Sequence, residues 1–233
     1  MEKKDMLTQI RKFDSFVVLT QTDRTDWGGD GLIHSTLDIP NALSHKSEIQ
    51  SSLKRKRALW VGRLSHVKGI DRLINIWAVF HRTHPEWILE IVGDGEFKKK
   101  LQEQVINNGL QKCIQISGAT IDIQHKYQNS SILLLTSYME SFGMVLIEAQ
   151  SYGVPVISYD VPCGPAEIIH NGVDGFLVKD DDVDEFVAKL SCLASDENLR
   201  KKMGEAAYIN AQRYSEETIM AQWENLFHVL TGK

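Results

Sequence analysis

Two short segments of the chain carry the residue types that hold phosphate and sugar. The first, Gly62-Arg63-Leu64-Ser65-His66-Val67-Lys68-Gly69, follows an apolar run and precedes an amphipathic one. It sets two cations, Arg63 and Lys68, in one loop. A guanidinium offers a fork of donors and an ammonium a compact point charge, a combination suited to two adjoining phosphates. At an effective dielectric of about 20, one unit-charge contact at about 4 Å is worth on the order of 4 kcal/mol, so two would hold a diphosphate without a metal. A solvated surface pair is the alternative that the spacing leaves open.

The second segment is Glu140-Ser141-Phe142-Gly143-Met144-Val145-Leu146-Ile147-Glu148, two carboxylates with seven residues between them. A helix starting near Phe142 would place its free N–H groups beside Glu140, where an anion or sugar oxygens could accept from them. Glu148 lies more than a turn further on in an otherwise apolar stretch. A carboxylate there needs hydrogen-bond partners, and a vicinal diol such as a ribose supplies two. A helix-start Glu favoured by the dipole and a second Glu in a salt bridge account for the same pattern without a ligand. Paired carboxylates also suit acid/base hydrolysis of a glycoside, a choice that rests on their separation in space.

Other segments carry less. Val92-Gly93-Asp94-Gly95-Glu96 has two glycines of a dinucleotide fingerprint and lacks the third, so it reads as a tight turn. The acidic run Asp180-Asp181-Asp182-Val183-Asp184 contains the D-x-D spacing used elsewhere for metal, but it stands before a helix, where carboxylates cap. The histidines, His34, His45, His66, His81, His84, His125, His170 and His228, show no ligand spacing. His66 lies between Arg63 and Lys68 and reads as a loop spacer within reach of a phosphate. Trp60, Trp77 and Trp87 read as core. Cys113, Cys163 and Cys192 are odd in number and widely spaced, which argues against a disulfide framework or zinc site.

The elements that must position these segments follow from periodicity. Apolar runs at 58–62, 88–93, 114–118, 132–135, 155–158 and 175–178 read as strands buried on both faces, and amphipathic stretches at 69–83, 95–108, 121–129, 142–152, 164–170 and 181–193 read as helices between them. The pattern predicts an α/β fold with a Rossmann-like, doubly wound parallel sheet of about six strands, in which ligands sit beyond the carboxyl ends of the strands. From Glu197 to about Leu230 two helices are expected, split near Tyr214 with a start at Ser215. The first 40 residues read differently: a helix, a strand from Phe16 to Leu19, a short helix and the Gly-rich loop Trp27-Gly28-Gly29-Asp30-Gly31. A net charge of −5 argues against general nucleic-acid binding. The chain shows neither a signal peptide nor an apolar run of about 18 residues, so a cytoplasmic location is expected.

Taken together in this order, the two motifs resemble glycosyltransferase family 4, whose GT-B enzymes carry G-R-L-x-x-x-K-G followed by E-x7-E. Ile39-Pro40-Asn41-Ala42, Val92-Gly93-Asp94-Gly95, Gly153-Val154-Pro155-Val156-Ile157, Gly164-Pro165-Ala166-Glu167-Ile168-Ile169 and Asn171-Gly172-Val173-Asp174-Gly175-Phe176-Leu177-Val178 also resemble family segments. The resemblance runs from about residue 36 to the C-terminus. It implies that Arg63 and Lys68, with Gly62, bind the diphosphate of a nucleotide sugar, that Glu140 contacts the donor sugar and Glu148 the ribose, and that the backbone of Phe142, Gly143, Met144 and Val145 completes the cradle. Arg63, Lys68 and Glu140 would be the catalytic set, and Thr120 and Asp122 would line the base pocket. It further implies a UDP- or GDP-linked hexosyl donor, a glycan or lipid-linked acceptor, retention of configuration, and no cofactor or obligatory metal. Family members carry an N-terminal acceptor domain with a glycine-rich loop. Here residues 1–40 resemble only its remnant and the linker, and 41–233 the C-terminal donor-binding domain. The acceptor half would act in cis or as a separate chain, and membrane contact would come only through it. A nucleotide-sugar epimerase of the same fold and a non-catalytic nucleotide-binding module are the rival classes.

Overall fold

The computed structural model describes residues 10, 12–28, 36–44 and 47–232. Apart from Ile10 and Lys12, the expected first helix lies outside the described residues, as do Gly29, Asp30 and Gly31 of the Gly-rich loop, His34 and His45.

The six apolar runs become β3 (Arg57–Val61), β4 (Ile88–Val92), β5 (Ile114–Gly118), β6 (Ile132–Leu135), β7 (Val156–Asp160) and β8 (Gly175–Lys179). They form one sheet in the order β5-β4-β3-β6-β7-β8, with every neighbouring pair parallel. Side chains alternate across each strand, so one strand feeds two cores. Ala58 and Trp60 of β3 and Ile132 and Leu134 of β6 join Trp77, Phe80, Trp87 and Phe186 on one face. Leu59, Leu133 and Leu135 join Tyr127, Leu146 and Ile147 on the other. The three tryptophans are core residues, as expected.

Burial on both faces fails at the edge. Gln115 and Ser117 of β5 are exposed, because an outermost strand has no neighbour to shelter it. It fails differently in β4, where buried Glu90 accepts from Arg57 (2.7 Å), Lys126 (2.6 Å) and Ser117 (2.7 Å).

The crossovers of this sheet are α2 (Ile70–Phe80), α3 (Lys98–Asn107), α4 (Ile123–Gln128), α5 (Met144–Ser151) and α6 (Pro165–Ile168), and α7 (Val183–Ser195) follows β8. The strand order reverses between β3 and β6: the chain runs outward through β4 and β5, then returns to the other side of β3. Loops leaving β3 and β6 therefore diverge and open a crevice at their carboxyl ends.

A second, two-stranded parallel sheet pairs β1 (Phe16–Val18) with β2 (Thr36–Asp38) around α1 (Gln21–Gly28). Sequence reading placed β1 and missed β2, whose three residues, Thr-Leu-Asp, are too short and polar to show a period. Glu167 in α6 ties this unit to the main sheet by accepting from the free N–H groups of Gln21 (2.8 Å) and Thr22 (3.0 Å). Helices α8 (Glu197–Ala211) and α9 (Glu216–Thr231) end the chain. Ser215 caps α9 through Thr218 N–H, as expected. Ile219 and Leu226 of α9 pack on Ile39, with Val17 and Leu37 alongside. No helix among the described residues is long and apolar enough to cross a membrane.

Candidate functional site

The loop after β3 is held from two sides. The 93–97 turn braces it: Gly62 N–H donates to Val92 (3.1 Å), Leu64 N–H to Asp94 (2.9 Å) and Phe97 N–H to Leu64 (2.9 Å). This approach requires Gly93, since a Cβ there would stand 1.8 Å from the Gly62 carbonyl. The Gly-Asp-Gly segment is thus the tight turn read from sequence, packed against the loop that carries the cations. On the other side, residues 66–68 form one 3-10 turn that ends at Gly69 in the left-handed region (φ 62°), against the end of β6. A Cβ on Gly69 would lie 1.8 Å from the Thr136 carbonyl, and Thr136 Oγ1 donates to the Gly69 carbonyl (2.9 Å).

This bracing delivers Lys68 to Glu140, 72 residues away in sequence. Lys68 Nζ lies 2.8 Å from both Glu140 oxygens, and Ser137 Oγ donates to Oε1 at 2.6 Å. The carboxylate side chain is only 6% exposed, the lysine 32%. A buried charge of this kind persists because it is paired and hydrogen-bonded. The pair lines a cavity of ≈ 270 Å³ with Val61, Gly62 and Leu135 at the strand ends, residues 141–145 on the helix side, and Leu19 and Asn41 from the N-terminal unit.

Helix α5 begins at Met144, two residues later than the pattern suggested, because Gly143 (φ 99°) caps it from outside the helical region. Leu146 N–H turns to the Gly143 carbonyl (2.8 Å). The earlier N–H groups of this first turn have no intrahelical partner and lie at the cavity wall.

The site residues expected from sequence divide into two groups. Gly62, Lys68, Glu140, Phe142, Gly143, Met144 and Val145 come together around the cavity. Arg63 does not join them: its side chain, 73% exposed, turns outward to Glu96 at 3.1 Å. Glu148 is half-buried and accepts from the Tyr127 hydroxyl (2.6 Å). Thr120 and Asp122 are exposed and occupied locally: Asp122 N–H donates to Thr120 Oγ1 (3.1 Å), and Asp122 caps α4 through His125 N–H (3.4 Å).

Three supporting side chains escaped sequence reading. Ser137, Tyr127 and Tyr138 sit in stretches that read only as strand end or helix. His66 stacks on Tyr138 (4.7 Å, 3° between planes), and buried Arg72 lies 3.6 Å over the same ring. Arg72 bonds Asp180 (2.7 Å) and reaches Asp181 (3.6 Å), while Asp182 caps α7 through Glu185 N–H. Burial opposes the Arg72 charge, but the bond to Asp180 and its charge outweigh that and raise its pKa. The acidic run therefore anchors an arginine and starts a helix. Among the described residues no three His, Cys, Asp or Glu side chains converge as a metal site.

Residues 43–210 match the family described as glycosyl transferases group 1. The chain belongs to this family. It is 33% identical over 232 residues to an exopolysaccharide phosphotransferase of Streptomyces coelicolor, covering 98% of this chain and 24% of that protein. It is 38% identical over 175 residues to the amylovoran biosynthesis glycosyltransferase AmsD of Erwinia amylovora, covering 75% of this chain and 49% of the relative. The chain thus spans a quarter to a half of the length of these two relatives. A solved structure of Staphylococcus aureus TarM, in complex with fondaparinux, alpha-GlcNAc-glycerol and UDP, superimposes with a TM-score of 0.89 at 24% identity, covering 97% of this chain and 46% of that one. The six-stranded sheet is accordingly a Rossmann-like half of a GT-B fold.

Proposed function

We propose that residues 41–233 are the C-terminal, donor-binding domain of a retaining, family 4 glycosyltransferase, and that residues 1–40 close an N-terminal acceptor domain supplied in cis or as a separate chain. The enzyme would move a hexosyl group from a UDP- or GDP-linked donor to a glycan or lipid-linked acceptor, with no obligatory metal. The observation that carries this reading is that the Lys68–Glu140 pair and the first residues of α5 line one cavity at the reversal of strand order. UDP in the TarM complex supports the nucleotide class.

In this reading the diphosphate takes over Lys68, while Ser137 keeps hold of Glu140, whose carboxylate meets the donor sugar. Arg63 leaves Glu96 to join the phosphates. That exchange is easy, because an exposed pair is worth about 0–1 kcal/mol. The bond from the anomeric carbon to the diphosphate breaks with its electron pair on the phosphate oxygen. The acceptor oxygen bonds to the same face, and its proton passes to the departing diphosphate. Lys68, Arg63 and the α5 N–H groups meet the charge that develops there. Glu148 would hold the ribose, and Thr120 and Asp122 would flank the base.

The test is turnover by the chain joined to an acceptor half, following nucleoside diphosphate release and the anomeric configuration of the product. Transfer with retention that disappears in Lys68→Ala supports the proposal. A changed nucleotide sugar formed without acceptor would assign an epimerase instead, and binding without turnover a non-catalytic module.

A further inference from the structure

We infer that Tyr127 is a positioning residue for the donor: its hydroxyl fixes the Glu148 carboxylate and thereby sets the preference for a ribonucleoside over a 2′-deoxyribonucleoside diphosphate. The inference rests on the donor-site reading above.

Glu148 follows Met144 by four residues and Val145 by three, and residues at those spacings share a helix face. Met144 and Val145 line the cavity, and Glu148 lies one turn further along the same face of α5, just beyond that lining. Its Oε2 accepts from Tyr127 at 2.6 Å, a length typical of hydroxyl-to-carboxylate bonds. Oε1 carries no hydrogen bond from the described residues, which leaves it to accept from a ligand.

A half-buried glutamate with three rotatable bonds does not hold one orientation unaided. Tyr127 supplies the constraint because it is itself immobile. Its ring is buried and stacks on Tyr152 (centroids 5.4 Å apart). The preceding residue, Lys126, bonds Glu90 in β4 at 2.6 Å, which pins α4 to the sheet. A phenol has one proton to donate, and here it is directed at Glu148. Burial, together with the Glu148 charge, holds the Tyr127 hydroxyl well above its ordinary pKa, so it remains a donor across the working pH range. A fixed carboxylate rewards a 2′-hydroxyl at one position, while a freed one must be ordered again at each binding event.

The test is calorimetric titration of the whole chain with UDP, GDP and their 2′-deoxy counterparts, using wild type, Tyr127→Phe, Glu148→Ala and the double variant. Tyr127→Phe keeps the stacked ring and removes only the hydroxyl. The expected result is a loss of about fivefold in ribonucleotide affinity, the cost of re-ordering one side chain, with deoxyribonucleotide affinity unchanged and no further loss when Tyr127→Phe is added to Glu148→Ala. Equal weakening toward both sugars, an unchanged ribo-to-deoxy ratio, or additive losses would overturn the inference. Lys68→Ala separates the two levels. If it abolishes binding while Tyr127→Phe leaves the ratio intact, only the role of Tyr127 falls. If neither wild type nor a longer form carrying the acceptor half binds nucleotide, or Lys68→Ala binds as well as wild type, the donor-site reading falls and the inference with it.

Discussion

Replacing Lys68 with methionine removes a charge and keeps the length of the side chain, which makes its consequences calculable. At 2.8 Å and an effective dielectric of about 20, the attraction to Glu140 is about 6 kcal/mol. Much of this is offset, because the lysine is one-third exposed and Ser137 continues to donate to the carboxylate. A net loss of about 2 kcal/mol follows, between the 3–5 kcal/mol of a fully buried pair and the 0–1 kcal/mol of a surface pair. For a chain of this size that lowers the melting temperature by about 4–8 °C. The loss comes from the carboxylate left behind, so Lys68→Met with Glu140→Gln recovers more than half of it. Thermal and urea unfolding of wild type and the two variants, with nucleoside diphosphate binding in parallel, read both consequences. A Lys68→Met chain that melts within about 1 °C of wild type, or a double variant less stable than the single, would mean that the buried Glu140 charge does not depend on Lys68.

Glu90→Gln leaves Arg57 and Lys126 without their buried partner and costs about 2 kcal/mol at neutral pH. Burial pushes the Glu90 carboxyl up, but Lys126, Ser117 and Arg57 outweigh it and hold its pKa below the usual value. Its stabilisation is therefore present above the unfolded carboxylate pKa of about 4.3 and lost as pH falls through the lower folded value, so wild type and variant converge in acid unfolding. Gly69→Ala forces a Cβ to 1.8 Å from the Thr136 carbonyl at a positive φ; it costs at least about 3 kcal/mol and disturbs the turn that delivers Lys68, as thermal melts and nucleotide titration would show. Glu167→Ala uncaps α1 for about 1 kcal/mol, and amide exchange at Gln21 and Thr22 accelerates while the six-stranded sheet keeps its protection.

The sheet was legible because Ala58-Leu59-Trp60 and Ile132-Leu133-Leu134-Leu135 are short apolar runs of the kind that a parallel strand buries on both faces. Strand β2 was not, since three residues cannot display a period. The motifs set Lys68 and Glu140 in segments that follow strands and put the start of α5 within two residues of where it lies, because strand ends and helix starts are local properties. What sequence could not convey is direction. Nothing in Gly62-Arg63-Leu64 says that Arg63 turns out to Glu96 while Lys68 turns in, and that choice depends on a turn thirty residues later. Tyr127 reads as one polar-tipped residue in a short helix, and its hydroxyl acquires meaning only when the fold brings it to Glu148 of α5. Glu90 looks like an interruption of an apolar strand until β3, β5 and α4 bring it three donors.

Calorimetric titration of the purified chain with UDP, GDP and ADP and their hexose conjugates, in the presence of chelator, decides whether the cavity between Lys68, Glu140 and the start of α5 takes a nucleotide sugar. The expected result is saturable binding of UDP or GDP with one site per chain, lost in Lys68→Ala and weakened in Glu148→Ala. Binding that is indifferent to both substitutions, or absent from the chain and from a longer form carrying the acceptor half, would contradict it.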